Sequence, residues 1–249
     1  MGKIVAVGSG KGGTGKTTSV AAISSCLAAL GYKTLAVDLD AGLRSLDLAL
    51  SMTDYSVADY EDVLSSRLSL MEACHEHPLI PNLFFLSAPA VYSDDEIDIS
   101  LCELMFSEIR REFDYCLLDS PSGIGHGFRL AHMDADLSIL VTNGELPTMR
   151  DAERAADIVR ELGVPELRLL VNRVRAKDYK MLQATIDDVI DTIGVSLLGI
   201  IREDKGIMIA LHENTPLVLH GKRNAAYDFL DAARRITGEK VPLRRIKSY

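Results

Sequence analysis

"KIVAVGSGKGGTGKTTSVAAIS", residues 3–24, decides how the rest of the chain is read. A short apolar run (3–8) enters a glycine-rich loop, and an Ala/Ser-rich helical pattern (16–30) leaves it. Gly10 to Thr17 matches G-x-x-x-x-G-K-[ST] in the strand–loop–helix context that motif requires. Its glycines (Gly10, Gly12, Gly13, Gly15) let the backbone around Thr14 wrap phosphates with inward N–H groups, and the helix N-terminus adds partial positive charge. Lys16 is placed to reach terminal phosphates, the Thr17 hydroxyl to ligate Mg²⁺, and the Thr18 hydroxyl to touch the α-phosphate. One lysine suffices for that work, yet Lys11 lies in the same loop.

Outward from the loop, short apolar runs alternate with helical patterns. Residues 34–40, 83–88, 115–120, 137–143, 167–173 and 196–201 read as further strands, apolar throughout as in a parallel sheet covered on both faces. Helical patterns occupy 56–65, 94–112, 147–162, 178–192, 205–213 and 222–238, the last ending at Gly238 as a C-cap. Such alternation predicts an α/β fold, one domain with a mostly parallel, doubly wound sheet. "HEHPLIPN" (75–82) reads as a surface connection. Next to it "ACHEHP" offers Cys74, His75, Glu76 and His77 but lacks a second ligand pair at metal-site spacing.

Three strand ends carry candidate chemistry. "LAVDLDAGLRSLDLAL" puts Asp38 and Asp40 two apart at the end of the second strand, so both carboxylates can face one metal–phosphate site. "YCLLDSPSG" ends an apolar strand in Asp119, which can meet Mg²⁺ directly or through water. The same position also suits a helix N-cap. After it, "SPSGIGHG" has the glycine content of a switch loop. "LLVNRV" ends near Asn172, whose amide matches a purine edge and is equally an ordinary turn residue.

K-G-G-x-G-K-T-T resembles the deviant phosphate loop of the MinD/ParA ATPases. That resemblance runs from Lys3 to about Gly238 and implies a P-loop NTPase fold with ATP and Mg²⁺ as ligands. It implies that Lys11 crosses a homodimer interface to the partner's nucleotide, making hydrolysis conditional on dimerisation. Asp40 would position the attacking water, Asp38 would support the magnesium shell, and Asn172 would recognise adenine. "DLDAGLRSLDLAL" is most similar to the septum-site-determining branch and its flagellar-number relatives. There, "PTMRDAERAADIV" (147–159) corresponds to a partner-contacting helix, with Arg150, Asp151 and Glu153 in the matching stretch. Implied partners are a MinC-like inhibitor and a MinE-like activator. A segment reading P-E-D in relatives is "REDKG" here, with Arg202 in the proline's place.

Composition sets the outer limits. A net charge of −9 argues against general nucleic-acid affinity, but His220–Tyr249 holds eight Lys/Arg against three Asp/Glu. The resemblance makes residues 1–238 the ATPase domain and 239–249 a basic tail, in its relatives an amphipathic membrane helix. Val241, Leu243 and Ile246 supply apolar groups among Arg244, Arg245 and Lys247; one such tail is marginal, two on a dimer gain by effective concentration. A loose tail with no membrane role is the alternative. A partition ATPase using Arg223, Arg234 and Arg235 on DNA is a rival reading. Iron–sulfur relatives of this fold need cysteines at a dimer axis or in a CxxC, and neither is evident. The four scattered cysteines make no disulfide framework, with Cys26 and Cys116 read as core residues. The N-terminal run is too short for a signal peptide, and no stretch reaches the ~18 apolar residues of a membrane span. The expected location is cytoplasmic, with peripheral association at the inner face of the cell membrane.

Overall fold

The computed structural model describes residues 1–41, 43–55, 57–90, 99–175, 177–178, 185–220 and 224–244. Among these, eight strands form one sheet: β1 (Lys3–Gly8), β2 (Thr34–Asp38), β3 (His75–Glu76), β4 (Leu83–Leu86), β5 (Tyr115–Asp119), β6 (Leu137–Thr142), β7 (Glu166–Val174) and β8 (Leu197–Arg202). Their order is β3-β4-β2-β5-β1-β6-β7-β8, parallel except where β3 pairs antiparallel with β4. β1 runs down the middle. The chain leaves β1 for β2 on one side and later crosses from β5 to β6 on the other. The connection after β1 therefore opens at the reversal point, where α/β sheets bind ligands.

The helices are α1 (Lys16–Ala29), α2 (Leu46–Leu50), α3 (Tyr60–Leu64), α4 (Leu70–Ala73), α5 (Ile99–Glu112), α6 (His126–His132), α7 (Leu146–Glu161), α8 (Ile186–Ile193), α9 (Lys205–His212) and α10 (Asn224–Ile236). Alternate strand residues separate two cores. Ile4, Ala6, Leu35, Val37 and Leu118 pack with Phe106 and Ile109 of α5. Val5, Val7, Ala36, Leu117 and Ile139 pack with α1 and with Phe229 and Ala232 of α10. α1 is buried on almost every side. Its serines tolerate this because Ser19, Ser24 and Ser25 donate to the carbonyls of Gly15, Val20 and Ala21. All four cysteines are buried and in no disulfide, as the core reading of Cys26 and Cys116 requires.

Several expectations are revised. β2 stops at Asp38, two residues early, because that carboxylate captures the chain that follows. α3 begins at Tyr60 because Asp59 and Asp62 form a capping box there. The sequence reading passed over α2, α4 and α6, which are too short for a clear helical period. "HEHPLIPN" is a largely exposed connection, as expected, but it is anchored at two buried residues, His77 and Ile80. It opens with β3, and His77 is buried, its Nε2 bonded to the Leu50 carbonyl and its Nδ1 accepting from the Leu79 and Ile80 amides. Residues 56, 94–98, 179–184 and 222–223 of the expected helices, and 245–249 of the expected tail with Arg245, Ile246 and Lys247, lie outside the described residues.

Candidate nucleotide site

The loop between β1 and α1 is shaped by two glycines that nothing larger can replace. Gly15 has φ +96°, and a Cβ there would sit 2.2 Å from Asn172 Nδ2. Gly10 lies on the first turns of α7, where a Cβ would fall 2.2 Å from the Asp151 carbonyl oxygen. The Ser9 hydroxyl donates to the Lys11 carbonyl at 2.6 Å and tightens the turn. Lys16 is buried at the start of α1, while Lys11 is exposed, with no carboxylate paired to it among the described residues. Burial lowers the Lys16 pKa, and the charges of Asp119 and Asp40 oppose that shift. The two lysines thus differ physically: Lys16 faces the carboxylates of its own chain, and Lys11 faces outward.

β2 and β5 are paired in register at Asp38 and Asp119, so both carboxylates emerge on one face, and the Asp119 carboxylate feels the Lys16 charge. Their surroundings differ. Asp38 Oδ1 accepts from the Asp40 amide at 2.9 Å; its Oδ2 accepts from the Ser45 and Leu46 amides at 3.1 and 3.0 Å. It therefore ties down Asp40, Ser45 and Leu46 and caps α2. Burial still raises its pKa to about 6 against the two strongest of these donors.

Asp119 is 1% exposed, and neither of its oxygens has a hydrogen-bond partner. Burial raises its pKa to about 7; Thr17 and Lys16 pull the other way, yet neither closes a hydrogen bond to it. A buried carboxylate so placed asks for a cation. The Thr17 hydroxyl at the start of α1 completes a hard-oxygen donor set of the sparse kind that Mg²⁺ accepts when phosphates fill its other positions. The residues present fit that ion. No cluster of three or more His, Cys, Asp or Glu suited to a metal occurs among the described residues, so "ACHEHP" forms none there.

Ser45 was missed by the sequence reading. Its hydroxyl lies 3.3 Å from that of Thr17. As the residue before α2 it could cap that helix, but Asp38 does so instead and leaves the hydroxyl free for Thr17. The signal available in sequence was a serine opening the helical pattern "SLDLAL". Asp40 is half-buried; burial raises its pKa and the Lys16 charge lowers it.

Asn172 lies at a bulge of β7, where pairing with β8 slips between Val171 and Val174 and Arg173 takes φ +55°. The bulge turns its amide toward the loop: Nδ2 donates to the Thr14 carbonyl at 2.9 Å, and Oδ1 accepts from the Arg173 amide. Asn172 therefore braces the loop's backbone. Arg202, the departure from the P-E-D pattern, is bound to Asp228 of α10 through its backbone amide, Nε and Nη2.

The CobQ/CobB/MinD/ParA nucleotide binding domain family (CbiA) matches residues 5–217. The chain belongs to this MinD/ParA family. It is 35% identical over 244 residues to the septum site-determining protein MinD of Synechocystis, covering 97% of this chain and 92% of that protein. A chain of the MinC:MinD cell division protein complex of Aquifex aeolicus is similar with TM-score 0.91 and 34% identity, covering 98% of each. MinD of Pyrococcus horikoshii complexed with Mg-ADP is similar with TM-score 0.82 and 27% identity, covering 97% of this chain and 100% of that one. The MinD/ParA membership places the loop, Asp119 and the Thr17 hydroxyl in a nucleotide-binding domain, as their geometry requires.

Proposed function

We propose that the protein is an ATP-hydrolysing switch that dimerises on Mg-ATP and returns to a monomer after hydrolysis. The observation that carries this is the division of labour at the site: an unpartnered buried Asp119 beside Thr17, Lys16 turned inward, Lys11 turned outward. Mg²⁺, held by Thr17 and Asp119, would neutralise charge on the β- and γ-phosphates. Lys16 and the loop amides bind the phosphates, and the Asn172 brace keeps those amides aimed. Asp40 holds a water for in-line attack and receives its proton while Lys16 balances the charge. Lys11 reaches a second copy's nucleotide and supplies the positive charge that a lone site lacks. Asn172 retains one donor and one acceptor for a base edge.

The relatives and the exposed start of α7, with Leu146 at 74% exposure, support a cell-division role in which α7 meets a MinC-like partner or a MinE-like activator. The basic C-terminal end supports reversible contact with an anionic membrane. Two contacts weigh against the DNA-partition reading: Arg235 donates to the Leu198, Val241 and Pro242 carbonyls, and Arg234 pairs with Glu239; Arg223 lies outside the described residues.

The test compares oligomeric state and vesicle sedimentation with ADP and with ATP, in wild type and Lys11→Ala. The expected result is an ATP-dependent dimer in wild type and none in the variant, with nucleotide still bound. Full ATPase activity in Lys11→Ala would refute the trans role, and pelleting unchanged by deleting 241–249 would refute the membrane role of the tail.

A further inference from the structure

α10 carries two buried carboxylates one turn apart, Asp228 and Asp231, each 4% exposed. Each is closed by an arginine from outside the helix. Arg202 binds Asp228 in a fork. Arg244 binds Asp231 through Nε and, at 3.0 Å, through Nη2, and its guanidinium lies 5.3 Å from the Tyr227 ring centre. Between them Arg235 donates to the carbonyls of Val241 and Pro242, both at 2.9 Å, and of Leu198 at 3.1 Å. At the start of the segment Arg234 pairs with Glu239 at 2.8 Å. Residues 239–244 are therefore not a free basic end. They are non-helical and strapped back along α10, with Leu243 half exposed.

We propose that this strap is a latch on the tail: Arg244 exchanges between Asp231 and the phosphate of an anionic lipid, so Asp231 restrains membrane association. The inference rests on the reading of the tail as a membrane element. Its physical basis is an unequal pair. Asp231 is buried and holds a partner tightly, because a buried carboxylate left alone is costly. Arg244 keeps 45% of its side chain exposed, so a lipid phosphate can approach it without first unfolding anything. The nearby charge of Arg235, on the same helix, lowers the cost of releasing Asp231 from Arg244. At a membrane, Arg244 trades one carboxylate for many phosphates and carries Leu243 toward the interface.

The test uses the full chain, loaded with ADP or ATP, as wild type, Asp231→Asn, Asp231→Glu and Arg244→Gln. One readout is the rate of tryptic cleavage after Lys240; the other is sedimentation with phosphatidylcholine vesicles, with and without phosphatidylglycerol. Asp231→Asn should release the C-terminal peptide roughly fivefold or more faster and raise binding to phosphatidylglycerol vesicles in the ADP state by a similar factor. Asp231→Glu, with the charge restored, should fall back toward wild type, which guards against a variant that merely unfolds. Arg244→Gln should also cleave faster but bind vesicles less. Cleavage unchanged in Asp231→Asn overturns the latch. Faster cleavage with no protein binding phosphatidylglycerol vesicles in either nucleotide state overturns the membrane reading and the exchange with it, leaving only a strap. Wild-type cleavage accelerated by inorganic phosphate at constant ionic strength assigns the exchange to the free ion and overturns the lipid version.

Discussion

Proton release on binding Mg-nucleotide gives a direct test of the Asp119 environment. Burial holds this carboxyl at a pKa of about 7 rather than 3.8. A cation bound at Thr17 and Asp119 requires the ionised form, so binding must expel whatever proton is there. With a pKa near 7, the expected release is about 0.9 proton at pH 6, about 0.5 at pH 7 and about 0.1 at pH 8. Below pH 7, affinity for Mg-nucleotide should fall up to tenfold per unit, about 1.4 kcal/mol each. The fold without ligand should show the opposite slope. The group's folded pKa is raised, so the stabilising proton is fully present below about pH 4 and is lost as pH rises through about 7. Asp38, raised to about 6, adds to that slope.

The assay is isothermal titration calorimetry in two buffers of different ionisation enthalpy, with excess magnesium so that the free nucleotide is already complexed. A parallel series with nucleotide in EDTA removes the cation. Release should vanish in EDTA and in Asp119→Asn. Release that persists in Asp119→Asn, or that is absent in wild type at pH 6, would refute the assignment.

Three further outcomes follow from single contacts. Ser45→Ala should weaken the magnesium-dependent part of nucleotide affinity by roughly two- to tenfold, as one lost hydroxyl contact to Thr17 implies, with affinity in EDTA unchanged; titrating a fluorescent nucleotide against magnesium checks it. Gly10→Ala should cost about 2 kcal/mol of stability and displace α7, because a Cβ meets the Asp151 carbonyl at 2.2 Å; urea unfolding and nucleotide binding should both register it. Asp228→Asn should destabilise by about 2 kcal/mol, less than for a fully buried pair because Arg202 is 24% exposed; urea unfolding at low and high salt measures it.

Much of the fold was legible because parallel strands buried on both faces write continuous apolar runs, and all seven expected strands are present. The loop was legible because its glycines and lysine have fixed spacing. What sequence could not give was competition for side chains. Asn172 looked like a base-recognition amide, but β7's bulge commits one of its donors to Thr14. Arg202 reads in sequence only as a departure from P-E-D, but Asp228, 26 residues later, is its bidentate partner. The basic end reads in sequence as a membrane-seeking or loose tail, but through residue 244 Asp231 and the carbonyls presented to Arg235 hold it. Each missing partner comes from another element, at a distance along the chain that no local pattern encodes.

Asp38 and Asp119 make the same point from nearly identical sequence positions, an aspartate ending an apolar strand. After β2 the chain turns back, and the amides of Asp40, Ser45 and Leu46 fill the Asp38 oxygens. After β5 the next two residues are Ser120 and Pro121. The Ser120 amide is taken by the Val7 carbonyl across the sheet, and proline has no N–H to give. Neither of the two residues after Asp119 supplies it an amide, and both of its oxygens stay without a hydrogen bond, whereas Asp38 accepts three. That leaves one strand end as an anchor and its in-register neighbour as an open demand for positive charge, next to the hydroxyl of Thr17. On the proposed reading, in which Asp119 holds the cation, Pro121 is part of the signal, because it offers no amide where Asp40 offers one to Asp38.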